Sequence, residues 1–178
     1  SAEDSITLAL DRLMSVASVG PFLSRQLIQR FTTSNPSAGY ISRVTQVFNN
    51  GRYSLPNGTV VGGGLRGDLK ATIAAILLDR ENLQPEAPNT FGKLREPVLR
   101  FTQWARAFNA GAITPEYTVE LYDLSSVSIY GQGLAQHPFR APSVFNFYRP
   151  GYEPPGTDSG AAGMTVPELQ ILTTETIP

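Results

Sequence analysis

Taken by its apolar and polar positions, the chain is a run of short amphipathic helices. Ile6, Leu10, Leu13, Met14 and Ala17 recur three and four apart, with Asp11 and Arg12 off the stripe. That predicts a helix over 4–17, capped by Asp4 and stopped near Gly20. Gly20-Pro21 opens a second helix, because proline fits a first turn where its missing N–H had no partner. Its apolar face is Leu23, Leu27, Ile28 and Phe31. Asn35-Pro36 starts a third in the same way, with Tyr40, Ile41, Val44, Val47 and Phe48 as its stripe and Asn49-Asn50-Gly51 as its stop. Asp68 caps a fourth, carrying Leu69, Ile73, Ile76 and Leu77, while Ala71, Ala74 and Ala75 permit close helix approach. A fifth follows Lys93-Leu94-Arg95-Glu96-Pro97, with Val98, Phe101, Ala105 and Phe108 facing inward and Trp104 at the edge. Thr114-Pro115-Glu116 introduces a sixth, through Tyr117, Leu121 and Leu124, although nearby Val119, Val127 and Ile129 also suit strands. The expected buried set is Leu23, Leu27, Val44, Phe48, Leu69, Ile73, Ile76, Leu77, Val98, Phe101 and Phe108.

Several stretches depart from helical periodicity. In 51–67, GRYSLPNGTVVGGGLRG, the Asn57-Gly58 pair between Tyr53–Leu55 and Thr59–Val61 predicts a two-residue turn in a small exposed hairpin. Gly62, Gly64 and Gly67 also match G-x-G-x-x-G, but a dinucleotide fingerprint needs a buried strand and a βαβ unit. Here Val60-Val61 is short and helices dominate both flanks, so a return from the hairpin is the better reading. Another stretch is 153–164, rich in Gly and Pro and read as a loop. Thr165 and Glu168 after it form a capping-box pair opening a last helix through Leu169 and Leu172. The fold class expected is mainly α: an irregular multi-helix domain over 1–178, with long Gly/Pro loops and a small β-hairpin insertion.

Composition narrows the function classes. The 178 residues suffice for one domain with a real core. Charged residues are only 16%, and 16 Gly with 14 Pro demand long loops. A net charge of −1 gives no field favouring nucleic acid, and no run of eighteen apolar residues offers a membrane span. Cysteine is absent, which excludes thiolate catalysis, disulfides and Cys-based zinc sites. Both ends, Ser1-Ala2 and Ile177-Pro178, adjoin helical patterns, so a fragment of a longer protein is expected.

Catalytic sets are hard to assemble. His137 is the only imidazole, too few for a zinc site, and there is no G-x-S-x-G elbow. Paired carboxylates for glycoside chemistry would come from Glu96, Glu116, Glu120 or Asp123, whose separation the sequence does not fix. No catalytic residue, metal ligand or cofactor is assigned.

Residues 130–152, YGQGLAQHPFRAPSVFNFYRPGY, remain. They hold His137, six aromatics and two arginines, with neither helical nor strand periodicity. Such a segment is expected as an ordered loop laid across the helices, since a free one would expose a large apolar patch. The binding candidates are Gln132, His137, Arg140, Asn146, Tyr148 and Arg149. His137 reads better as a hydrogen-bonded loop residue than as a base lacking partners. Arg140 and Arg149 either cover rings and bond loop carbonyls or clamp an anion. The loop itself is either a plug that buries Phe139, Phe145 and Phe147 or a binding rim that leaves rings and guanidinium groups exposed.

Several ordered stretches resemble one family. VGPFLSRQLIQRF at 19–31, RGDLKATIAAILLD at 66–79, KLREPVLRF at 93–101 and the segment 131–152 are similar to motifs of the bacterial domain of unknown function 1800 (DUF1800). The Trp-containing end of that family's last motif is replaced here by Ser143 to Pro150, and the hairpin at 51–67 is an extra. The resemblance implies a mainly helical domain, exported to the periplasm or beyond, with another exported protein or envelope component as partner. It carries no activity to transfer. A binding or assembly role is therefore expected, and the alternative is a hydrolase of glycans or esters whose catalytic set lies partly in an absent N-terminal half.

Overall fold

Tyr40, at the start of the third helix, ties the first half of the chain together. The computed structural model describes residues 1–84, 88–110, 134–136, 139 and 141–172. The backbone divides into two compact units, 1–92 and 93–178. The first contains α1 (Ala2–Ser15), α2 (Val19–Phe31), α3 (Ala38–Asn50), β1 (Tyr53–Ser54), β2 (Val60–Val61) and α4 (Leu69–Leu77). The second contains α5 (Pro97–Ala107), α6 (Asp158–Ala161) and a 3-10 turn over Pro167–Ile171. The described chain is mainly helical, with a two-stranded antiparallel sheet paired Tyr53 to Val61 and Ser54 to Val60. Among the described residues no single helix is long and apolar enough to cross a membrane.

In the first unit α2, α3 and α4 pack on one another around Ile28, Tyr40, Val44, Ala75 and Ile76, flanked by Leu27, Ile41, Val47 and Tyr53. The α3 stripe is the expected one. Its cap is Ser37, whose Oγ accepts from Tyr40 N at 3.0 Å, in place of Asn35. The phenol of Tyr40 is fully buried and donates to Ile76 O at 2.6 Å. It thereby satisfies one of the carbonyls that the end of α4 leaves without an intrahelical partner. Burial pushes that phenol above its ordinary pKa.

α4 is rotated from the expected face. Ala71, Thr72, Ala75 and Ile76 are buried, whereas Leu69 and Leu77 are exposed. Apart from Lys70 and Thr72 the helix is apolar on every side, so its hydrophobic pattern selects a side only weakly. Close approach selects the small residues. Leu23, Leu27, Ile73, Val98 and Phe101 come out half-buried. Phe108 is exposed because it lies beyond the last turn of α5 as its C-cap.

The hairpin differs in its turn. Leu55 N bonds Thr59 O, Gly58 N bonds Leu55 O, and Gly58 takes φ +84°. This is a three-residue Pro56-Asn57-Gly58 loop with its last residue left-handed, in place of the two-residue turn. The return strand is structural. A side chain on Gly51 or Gly62 would strike backbone atoms of Leu65 or Gly51, which requires glycine at both. Arg66 then donates to Met14 O at 2.9 Å, to Val16 O at 3.1 Å and to Asn49 Oδ1, with its guanidinium 5.3 Å from the Phe48 ring centroid. Arg66 thus caps the carbonyl end of α1. α1 buries no residue of its own; its N-cap is Ser1, in a capping box with Asp4 at the third helical position. The segment 88–92 is pinned at its end: Thr33 Oγ1 donates to Gly92 O at 3.1 Å and accepts from Gly92 N at 3.0 Å.

In the second unit, Pro97 occupies the first position of α5 as expected. The sixth predicted helix, at 114–124, lies outside the described residues. The 153–164 loop contains the one-turn α6, capped by Thr157. Thr165 and Glu168 do not form a capping box. Pro167 begins a 3-10 turn with no side-chain cap, and Glu168 is buried against Lys93 instead.

Candidate functional site

The aromatic segment is anchored by a carboxylate at the entrance of α5. Glu96 precedes Pro97, and the residue before a proline is held extended, so Glu96 stands at the N-cap with its side chain turned away from the helix. Its Oε1 accepts from Tyr148 OH and its Oε2 from Gln136 Nε2, each at 2.6 Å. All three side chains are buried. Gln136 reaches further: its Oε1 accepts from Val98 N at 3.1 Å, a first-turn donor with no intrahelical partner. The side-chain capping role that Glu96 leaves open is thus taken by Gln136. Burying a carboxylate requires such hydrogen bonds, and both oxygens here have one.

From this anchor the segment runs along the surface. Ser143 and Asn146 form an isolated antiparallel bridge, and Asn146 N bonds Ser143 O at 3.1 Å. Asn146 takes φ +68°, a left-handed conformation that its short polar side chain tolerates. Arg149 N donates to Gln170 Oε1 at 2.9 Å, and Val166 N to Tyr152 O at 2.8 Å, which ties the segment to the 3-10 turn. Behind it, Lys93 Nζ meets Glu168 Oε1 at 2.9 Å, with Glu168 only 2% exposed.

A family model described as a protein of unknown function, DUF1800, matches residues 1–171. The chain belongs to that family. The match takes in α1 and the hairpin as well as the stretches on which the resemblance rests. No curated protein and no solved structure matches the chain.

Within this DUF1800 domain the six site candidates separate. Tyr148 is buried on Glu96, Asn146 sits half-buried in its turn, and Arg149 is exposed. Gln132, His137 and Arg140 lie outside the described residues. Of the three rings, Phe139 and Phe145 are exposed and Phe147 is half-buried. Among the candidate carboxylates Glu96 is engaged by Tyr148 and Gln136, while Glu116, Glu120 and Asp123 lie outside the described residues. Sequence reasoning did not single out Gln136, and it named Lys93 only in the lead-in to α5 and Glu168 only as a capping residue. The signal for the first was at hand: Glu96-Pro97 marks a helix start whose cap residue cannot also cap with a buried side chain.

Proposed function

We propose that the domain is a binding component that meets a partner protein through the rim formed by Phe139, Phe145 and Arg149. The observation that carries this reading is exposure: Phe139 is fully open to solvent and Phe145 is 57% exposed, on a segment fastened by the Tyr148 hydroxyl and the Arg149 backbone N–H. A plug would bury those rings. Exposed aromatics beside an arginine, on an irregular segment held by fixed bonds, are the residue types enriched where partners bind. The family resemblance favours an exported protein, and the partner is then another exported protein or an envelope component.

The test is affinity capture from the native envelope and secretome with the full-length protein, comparing wild type with Phe145→Ala and Arg149→Ala. The expected outcome is loss of the captured partner, about tenfold or more in affinity, with the melting temperature held. Variants that lose several degrees of melting temperature while capture is unchanged would make the segment architecture and end this reading.

A further inference from the structure

A second surface lies on α5. Arg100, Gln103, Trp104 and Ala107 fall at intervals of three and four, so they form one helix face about 10 Å long. With Lys93, Leu94 and Arg95 of the preceding segment, they line a shallow open cleft of about 600 Å³. Lys93 is neutralised by Glu168. Among the described residues the side chains of Arg95 and Arg100 have no hydrogen bond or ion pair, and none of those lining the cleft is a carboxylate. Trp104 is 53% exposed yet held in place. Its ring packs at 5.9 Å from Phe101 and 6.1 Å from Phe108, tilted by 34° and 42°, in the offset range that aromatic pairs favour.

From this arrangement we infer that the α5 cleft binds an acidic segment of a partner protein, with Arg95 and Arg100 taking its carboxylates and Trp104 its apolar side chain. Arginine pairs with carboxylates through parallel N–H donors, and two unpaired guanidinium groups facing one cleft lack the anion that complements them. A small ligand is disfavoured, since such ligands need enclosure on most of their surface and this cleft is open. Nucleic acid is disfavoured by the chain's net charge of −1 and by the small number of free cations here. Trp and Arg together, around a shallow groove, are the residue types that dominate protein interfaces. The inference rests on the reading of the domain as a protein-binding one, and it adds the chemistry of the partner.

The experiment uses the full chain as bait for a random displayed-peptide library, followed by affinities of the selected peptides. The expected peptides carry Asp or Glu next to an apolar residue, and their binding weakens as salt is raised. Arg95→Glu/Arg100→Glu should lower affinity by about tenfold or more, Arg95→Gln/Arg100→Gln by less, and Trp104→Ala should also weaken it. Phe22→Ala, an exposed aromatic on α2, should leave it unchanged. Circular dichroism of each variant separates lost binding from lost folding, and the neutral pair keeps the test open if the charge-reversed pair misfolds. Selection of no peptides, of peptides without acidic residues, or of acidic peptides indifferent to the arginine changes overturns the inference. Equal binding of short DNA also overturns it, by reducing the cleft to a general anion patch. Peptides sensitive to Phe145→Ala and Arg149→Ala but not to Arg95 and Arg100 changes overturn the cleft and leave the rim standing. The reverse pattern supports the cleft and leaves the rim to be decided by the capture test.

Discussion

The two units bury different things. In residues 1–92 an apolar cluster dominates: Ile28, Tyr40, Val44, Phe48 and Ile76 are closed to solvent, and the buried polar residues Ser24, Gln29, Thr33, Ser34, Thr72 and Asp79 accompany it. In the described part of 93–178 the buried hydrophobic side chains, prolines aside, are Tyr148 and Ile171, and beside them stand Glu96, Gln136, Thr165 and Glu168. The first unit gains from area removed from water, a term that is roughly additive and indifferent to direction. The second gains from directed pairing, where each group depends on one partner and its loss leaves a buried polar atom. That difference accounts for where irregular chain can be held. A few specific bonds, Tyr148 to Glu96 and Gln136 to Val98, fix a segment that has no periodic face to bury. Phe139, Phe145 and Arg149 are then left outside.

The sharpest way to break the comparison is at Lys93. Removing this ammonium with Lys93→Met leaves the Glu168 carboxylate, 2% exposed, without its counter-ion. Breaking a buried pair from one side costs about 3–5 kcal/mol. The unfolding midpoint, followed by the fluorescence of Trp104 in the same unit, should fall accordingly. The double change Lys93→Met/Glu168→Met should recover most of the loss, because it removes the orphaned charge as well. A single variant that costs under about 1 kcal/mol would show that pairing does not hold this unit together, since surface pairs have that value.

The counterpart in the first unit is Ile76→Ala. Ile76 is fully buried and packs in the cluster with Ile28, Tyr40 and Val44. Truncation should cost about 2–5 kcal/mol, from lost transfer and the cavity left behind. Faster amide exchange across α3 and α4 is the local readout. A refilling change such as Ile76→Leu should cost less than about 1.5 kcal/mol, because an apolar core tolerates volume-conserving swaps. No such swap exists for Glu168. If Ile76→Leu proved as costly as Ile76→Ala, the first unit would be as position-specific as the second.

The same difference explains what the sequence could tell. α3 was legible because one side of it is apolar and the other polar, so Tyr40, Val44 and Phe48 announce their face. α4 was legible as a helix but not as to its face, since Leu69, Leu77 and Leu78 are as apolar as Ile76. What chose Ala71, Thr72 and Ala75 was the close packing of neighbours, which periodicity does not encode. The return from the hairpin looked like slack chain. It is instead the clamp on α1 through Arg66, whose acceptors are backbone carbonyls about fifty positions away.

The second unit was less legible for a physical reason. Its stabilising pairs join residues far apart in sequence, 52 positions between Glu96 and Tyr148 and 40 between Glu96 and Gln136. A glutamate on a helix start or in a last turn normally reads as solvated. Thr165 and Glu168 have capping-box spacing, yet Glu168 serves Lys93. The aromatic segment was legible as a place, because so many rings without a period must be accounted for, but which ring is anchor and which is exposed was not. Among the named site residues that are described, Tyr148 alone pairs its polar end with a buried carboxylate.

The smallest expected effect concerns the ion pair of the first unit, at the edge of its apolar core. Arg43 donates from Nε to Asp79 Oδ2 at 2.7 Å and from Nη2 to Asp79 Oδ1 at 2.8 Å, with Glu81 Oε1 a further acceptor at 2.9 Å. Burial of Asp79 would raise its carboxyl pKa, but the two Arg43 bonds and the Glu81 N–H outweigh it and hold the pKa below the ordinary carboxylate value. A carboxylate whose folded pKa is depressed stabilises the fold fully above its unfolded value of about 3.9, and that stability is lost as pH falls through the folded pKa. Asp79→Asn removes the titration and the charge-assisted bonds together, so it should cost about 1–3 kcal/mol at neutral pH. The difference in unfolding free energy between wild type and variant should be constant down to about pH 4, then shrink at lower pH. Asp4 and Asp68 are also held below the ordinary value, and they titrate alike in both proteins, so they cancel from the difference. Arg43, Arg80 and Glu81 are the charged groups around Asp79, and neither arginine titrates in this window. A difference that stays constant from pH 6 to pH 2 would mean that Asp79 draws nothing from its ionised form. The edge of the first unit's apolar core would then draw nothing from ionised pairing, and its contrast with the second unit, where Glu168 depends on Lys93, would sharpen.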